Sequence, residues 1–227
     1  MKIIAISDTH TYHNDITIPE CDFLIHAGDW TYRGEFFETR DFLNWFVQQP
    51  AKHRIFIAGN HELTLDPHCP RNKYNQDIHS MVRNYSDVSY LENQLIEVDG
   101  VRIYGSPVTP TFCHWAFNFD RGEAIRKQWV KIPSDIDILV THTPPADYLD
   151  QVPGDPTDSR SSRAGCRDLL DMVSVVRPKL HIFGHLHTNG LKTKMHENGI
   201  TRFVNAAVLD DNYQFRKDIK PYIEIEL

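Results

Sequence analysis

Asp8, His10, Asp29, Asn60, His142, His185 and His187 share one setting: each stands just past the end of a short apolar run. The five segments are Ile6-Ser7-Asp8-Thr9-His10, His26-Ala27-Gly28-Asp29, Ala58-Gly59-Asn60-His61-Glu62, Val140-Thr141-His142 and Phe183-Gly184-His185-Leu186-His187. Carboxylate oxygen, imidazole nitrogen and amide carbonyl oxygen suit hard or borderline divalent ions such as Mn, Fe, Zn, Co or Ni. Seven donors are too many for one ion that must also hold a substrate. They fit two ions about 3.5–4 Å apart with a carboxylate between them. No cysteine belongs to the set, which argues against a closed structural zinc site.

The spacing asks for extended chain at these points. In Asp8-Thr9-His10 and His185-Leu186-His187 the paired residues are two apart, so in a strand-like segment both face the same side. The apolar runs read as strands over 2–7, 22–26, 54–58, 136–140 and 180–183. Helices are expected over 34–49, 72–83, 122–130 and 166–176, the first with Phe37, Leu43, Trp45, Phe46 and Val47 on its apolar side and the second polar and peripheral. Asp99-Gly100 predicts a hairpin between 95–98 and 101–104, and Asn198-Gly199 predicts another within 192–203. Residues 204–208 and 222–227 are expected as the last strands, and 144–165 as a long loop over the site. The order implies an α/β sandwich of two mixed β-sheets flanked by helices, as one domain over 1–227. Ligands of α/β folds bind beyond the carboxyl ends of strands, so five such ends would converge on one point.

Composition narrows the function. With 227 residues and 41% hydrophobic content, the chain can bury one substantial core. The formal net charge of −7 lacks the basic excess of proteins that neutralise nucleic-acid phosphates, so no stable nucleic-acid partner is expected. Cys21, Cys69, Cys113 and Cys166 are widely spread and read as reduced thiols. The Ile3–Ile6 run is too short for a signal peptide, and no stretch approaches the roughly 20 apolar residues of a membrane span. A cytoplasmic protein without a membrane partner is the expectation; its oligomeric state is open.

The order D-x-H, G-D, G-N-H-E, a later His and G-H-x-H resembles the calcineurin-like metallophosphoesterases from Asp8 to about Asn205. Longer strings are similar to the metallophosphoesterase-domain-containing, class III cyclic nucleotide phosphodiesterase-like branch. They are Gly28-Asp29-Trp30-Thr31, Ala58–Thr64, Trp115-Ala116-Phe117-Asn118, Thr141–Pro145 and Pro178–His181. The resemblance implies that Asp8, His10 and His187 hold one metal, that Asn60, His142 and His185 hold a second, and that Asp29 bridges them. It implies two divalent ions, with manganese the expected choice and iron, zinc, nickel or cobalt compatible. The implied activity is hydrolysis of small phosphodiesters such as cyclic nucleotides by a hydroxide held between the metals. A phosphomonoesterase, protein phosphatase, nuclease or weakly active scaffold of the same superfamily is the alternative.

His61, next to Asn60, is the candidate to protonate the leaving oxygen or to stabilise the transition state as a cation. Glu62 is read either as orienting that imidazole or as a surface or helix-start residue. His26 and His181 lie inside strands and are expected to satisfy core hydrogen bonds; His13, His53 and His114 are not expected to be ligands. Trp115 and Phe117 are assigned to the core in preference to a roof over the site. Arg121 and Arg163 are expected to be solvated rather than to meet a phosphate.

Overall fold

The computed structural model describes residues 1–72, 78–153 and 163–227. Along the chain these form β1 (Lys2–Ile6), β2 (Cys21–His26), α1 (Phe36–Val47), β3 (Ala51–Phe56), α2 (Ile78–Arg83), β4 (Ser89–Tyr90), β5 (Gln94–Val98) and β6 (Val101–Ser106). They continue with β7 (Thr109–Pro110), β8 (Asn118–Phe119), α3 (Glu123–Trp129), β9 (Ile138–Thr141), α4 (Arg167–Val176), β10 (Leu180–Phe183), β11 (Lys192–Met195), β12 (Arg202–Asn205) and β13 (Ile223–Glu226).

Two mixed sheets result, in the orders β13-β1-β2-β3-β4 and β11-β12-β10-β9-β6-β5. Within each, the central strands are parallel, and antiparallel strands stand at edges. Parallel strands covered on both faces are apolar throughout, and β1 shows how one strand serves two layers. Ile3 and Ala5 face Ile103, Ile138, Val140 and Ile182 of the second sheet, while Ile4 and Ile6 turn to Phe42, Leu43 and Phe46 of α1. On the far side, Leu139, Phe183 and Phe203 pack against Ile125 and Trp129 of α3 and Leu169 and Val173 of α4. Each fully buried isoleucine or phenylalanine contributes about 1.5–3 kcal/mol, so four layers are held by three apolar seams. The second sheet joins the first near the site, where Ser7 bridges Ala207.

Several elements differ from the expectation. The buried stripe of α1 is Thr39, Phe42, Leu43 and Phe46, a regular i, i+3, i+4, i+7 pattern that leaves Phe37 exposed. Strand β3 starts at Ala51 rather than at residue 54 because parallel pairing with β2 begins at Cys21. The expected helix over 72–83 is described only as α2, which buries Ile78 and Val82 and is not merely peripheral; 73–77 lie outside the described residues. Asp99 and Gly100 both take positive φ, as a two-residue hairpin turn requires. The second hairpin has a wider loop, closed by His196 N–H to the Thr201 carbonyl, and its returning arm is β12 itself. The expected strand over 204–208 therefore ends at Asn205.

Candidate metal centre

Ligand positions at five strand ends meet in one place. Asp8 and His10 follow β1, Asp29 follows β2, Asn60 and His61 follow β3, His142 follows β9, and His185 and His187 follow β10. All of these except the two last-named histidines are buried, and those two are half-buried. Asp8, His10, Asp29 and His185 adopt left-handed backbone, with φ of 55°, 41°, 56° and 67°. Non-glycine residues rarely adopt that conformation, and it persists only where the surroundings enforce it. Here Asp8 N–H donates to the Gly28 carbonyl, and the Asp8 carboxylate accepts His185 N–H at 2.9 Å. Gly59 and Gly184 allow the strands to approach: a Cβ on Gly59 would overlap the Asp29 carboxylate, and one on Gly184 would overlap that of Asp8.

The donor atoms form three overlapping groups, each within 4.8 Å: Asp8, His10 and His187; Asp29, His142 and His185; and His10, Asp29 and His61. Asn60 Oδ1 lies 3.0 Å from His142 Nε2 and so belongs with the second group. Asp29 stands between the groups, its Oδ2 3.2 Å from His142 Nε2, 3.9 Å from His10 Nε2 and 4.0 Å from His61 Nε2. His61 is thus closer to the donors than sequence reasoning placed it.

The imidazoles are oriented from behind. Nδ1 of His10, His61, His142 and His187 lies 3.2, 2.8, 2.8 and 2.9 Å from the carbonyl oxygens of Thr31, Tyr32, Ala27 and Asp210. A carbonyl only accepts, so each Nδ1 carries the proton and each Nε2 faces the centre, the arrangement of metal-ligating histidines. His10 Nε2 is buried with no protein partner. An unpartnered nitrogen lone pair aimed at two carboxylates fits a cation.

Charge balance points the same way. Burial opposes ionisation of Asp8 and Asp29, yet the neighbouring histidines, His187 and His142 foremost, hold both below the usual carboxylate range. Burial also opposes charge on His142 and His187, but Asp29 and Asp8 outweigh it and raise both to about 9. Burial lowers His10 and His185 to about 4. Protons on His142 and His187 thus balance the carboxylates, and a cation entering the site must expel them.

His26 and His181 lie in the strands as neutral core groups, the first bonded through both ring nitrogens and the second through one. His26 Nδ1 accepts from Gly28 N–H, and its Nε2 meets Thr9 Oγ1 at 3.1 Å. Thr141 Oγ1 donates to the Thr143 carbonyl, so it accepts from His181 Nε2 at 2.8 Å, while His181 Nδ1 faces no partner. Burial pushes both to about 3, whereas histidines of an unfolded chain titrate near 6.5. Between those values the unfolded chain binds more protons. The stability that depends on these two histidines is therefore full above about pH 6.5 and falls below it, by up to about 1.4 kcal/mol per pH unit for each. His10 and His185, lowered to about 4, add to the fall and outweigh the opposing slope of Glu62, raised to about 8, while His142 and His187, raised to about 9, oppose it only near pH 6.5. Urea midpoints of the metal-free protein should fall between pH 6.5 and pH 5; equal midpoints would contradict this.

Other expectations divide. Glu62 is neither exposed nor aimed at the His61 ring. It is fully buried, and its carboxylate accepts N–H of Gly59, Asp29 and Thr31 and the Thr31 hydroxyl at 2.6–3.0 Å. Burial and the charge of Asp29 push its pKa up to about 8. Phe117 is core, and Trp115, half-buried, packs against that core while also stacking on His61 with ring centroids 4.2 Å apart and lining the cavity in front of the donors. Arg121 donates to the carbonyls of Ala164 and Gly165, and Arg163 pairs with buried Asp150 at 2.6 Å. All four cysteines are free thiols. Of the loop over 144–165, Val152 and Pro153 line the cavity, and 154–162 lie outside the described residues.

The cavity encloses about 280 Å³, walled also by Phe112, Thr188, Asp211 and Tyr213. The last two belong to a segment that sequence reasoning passed over. Its turn is closed by Asp210, whose carbonyl holds His187 and whose carboxylate accepts N–H of Asn212 and Gln214. The Asp-Asp-Asn run 210–212 is the turn signal that could have marked it.

A centre of this kind at the carboxyl ends of two facing sheets defines the calcineurin-like phosphoesterases. Residues 1–189 match the model of that family, and the chain belongs to it. It is similar to metallophosphoesterase domain-containing protein 1 of Homo sapiens, 39% identical over 242 residues that span 100% of this chain and 71% of that protein. A UPF0046 protein of Caenorhabditis elegans is 37% identical over 223 residues, covering 95% of this chain and 72% of its own. The fold is shared with the TT1561 protein of Thermus thermophilus, with a TM-score of 0.53 and 13% identity over 90% of this chain and 88% of that one. Membership makes the chain a phosphoesterase-type hydrolase of a family that typically depends on two metals. Among the described residues no helix is long and apolar enough to cross a membrane.

Proposed function

We propose that this protein hydrolyses small phosphodiesters, cyclic nucleotides among the candidates, with two manganese ions in the cytoplasm. The observation that carries this reading is the pair of donor groups flanking Asp29, with His61 Nε2 facing the same cavity. Asp8, His10 and His187 would hold one ion, Asn60, His142 and His185 the other, and Asp29 both. When bound, such ions supply a water activated for attack on phosphorus and neutralise charge on the phosphoryl oxygens.

The chain's own groups supply the rest. His61 keeps Nδ1–H on the Tyr32 carbonyl, which leaves Nε2 to deliver a proton to the leaving oxygen. The described cavity lining contains no lysine or arginine, and Asp211 stands in its wall. A dianionic monoester would meet more repulsion there than a monoanionic diester. Phe112, Trp115 and Tyr213 offer apolar walls to a small organic ester, and the acidic chain offers no track for a nucleic acid.

Bis-p-nitrophenyl phosphate, p-nitrophenyl phosphate, 2′,3′- and 3′,5′-cyclic nucleotides and single-stranded DNA, each with Mn, Ni, Mg and Zn, form the testing panel. The diester should turn over faster than the monoester, and fastest with Mn. On the cyclic nucleotides, whose leaving alkoxide needs a proton, His61→Ala should lose about 10²–10⁴-fold in turnover while keeping two ions per chain. A preference for the monoester would overturn the diesterase reading; no hydrolysis with any ion would make the protein a scaffold; loss of metal in His61→Ala would make His61 a ligand.

A further inference from the structure

We infer that Trp115 is the positioning residue for His61, setting the plane in which its Nε2 meets the leaving oxygen; this rests on the proton-donor reading of His61 given above. Three observations meet at this side chain. First, the indole and imidazole are stacked, with centroids 4.2 Å apart and planes 24° from parallel. The Tyr32 carbonyl fixes one atom of the imidazole and leaves rotation about that hydrogen bond free; a stacked neighbour removes that freedom.

Second, the loop bearing Trp115 is held rigidly against the metal donors. Ala116 N–H donates to the carbonyl of Asn60, the residue just before His61, at 3.1 Å. Phe117 N–H donates to Asp66 Oδ2 at 2.7 Å, and the Asn118 side chain ties Phe112, Ala116 and Thr109 together. Cys113, His114 and Phe117 all adopt left-handed backbone, with φ of 51°, 54° and 55°. Three such residues within five are unfavourable for a free loop and persist because these bonds over-determine it.

Third, the indole is a partition and not packing alone. It lines the metal-side cavity and also a separate cavity of about 500 Å³ bordered by Pro67, His114 and Phe119. The Arg71 guanidinium lies over it at 4.5 Å. Although it packs in part against the core, the indole is left open on two sides, and its ring stack is with the His61 imidazole.

The test is a double-mutant cycle read with two diesters, bis-p-nitrophenyl phosphate, whose leaving group departs without a proton, and diphenyl phosphate, whose leaving group needs one. Trp115→Ala should lose at least about 10-fold in kcat on diphenyl phosphate, within the range of general-acid effects, and far less on the nitrophenyl ester. Trp115→Phe should restore most of that loss. The Trp115→Ala, His61→Ala double variant should be no slower than His61→Ala alone. Losses that add, or that are equal on both esters, overturn the positioning role and leave the proton-donor reading standing. A His61→Ala variant slowed equally on both esters overturns that reading, and with it this one.

Discussion

Asp29→Asn should abolish turnover while leaving the fold in place. The loss should go well beyond the roughly 10–100-fold that removal of an outer-shell partner of a metal ligand costs. Asp29 is the only carboxylate shared by the second and third donor groups, and its other oxygen accepts His61 N–H at 2.8 Å. An asparagine retains an acceptor for that N–H, so the substitution isolates the charge. Metal content should fall below two per chain. A second effect separates electrostatics from coordination. In the metal-free protein, Asp29 is the largest influence opposing the burial of His142, whose pKa stands at about 9. With asparagine, His142 should release its proton at a lower pH, visible by NMR titration of its ring. Full metal content, or an unmoved His142, would contradict the role assigned.

The largest effect on stability should come from Glu62→Ala. This side chain gathers three backbone N–H groups from two loops, Gly59 beside the donor Asn60 and Asp29 and Thr31 after β2. Leaving a buried donor without an acceptor costs about 1–3 kcal/mol, so three together should exceed about 3 kcal/mol. At 2–4 °C per kcal/mol for a chain of this size, Tm should fall by roughly 6–12 °C or more. Glu62→Gln keeps one acceptor oxygen and should lose about half as much. Differential scanning calorimetry of metal-free and manganese-loaded protein checks both values. A Tm within about 1 °C of wild type would make Glu62 dispensable.

The sequence made the donors legible because each lies where an apolar run breaks into a polar cluster, in three of the five clusters beside a glycine. That pattern is local, and its cause is local: a strand must end, and the chain must turn, for a side chain to face a shared point. What was illegible depends on distant partners. Glu62 sits in the same string as Asn60, yet its burial comes from loops about 30 residues away. Trp115 reads as core because aromatics usually are, and it does pack there in part; only the structure shows its stack on His61. His187 is fixed by the carbonyl of Asp210, and no side-chain motif announces a backbone acceptor. The β3 start and the end of β12 shifted for a similar reason, since their neighbours set the pairing register.

The central claim is a pair of ions joined by Asp29. Electron paramagnetic resonance of the manganese-loaded protein, with metal content measured on the same sample, tests it most directly. Two manganese per chain with an exchange-coupled spectrum in the wild type, and an uncoupled spectrum in Asp29→Asn, is the predicted result. A single uncoupled manganese per wild-type chain at saturation would contradict it.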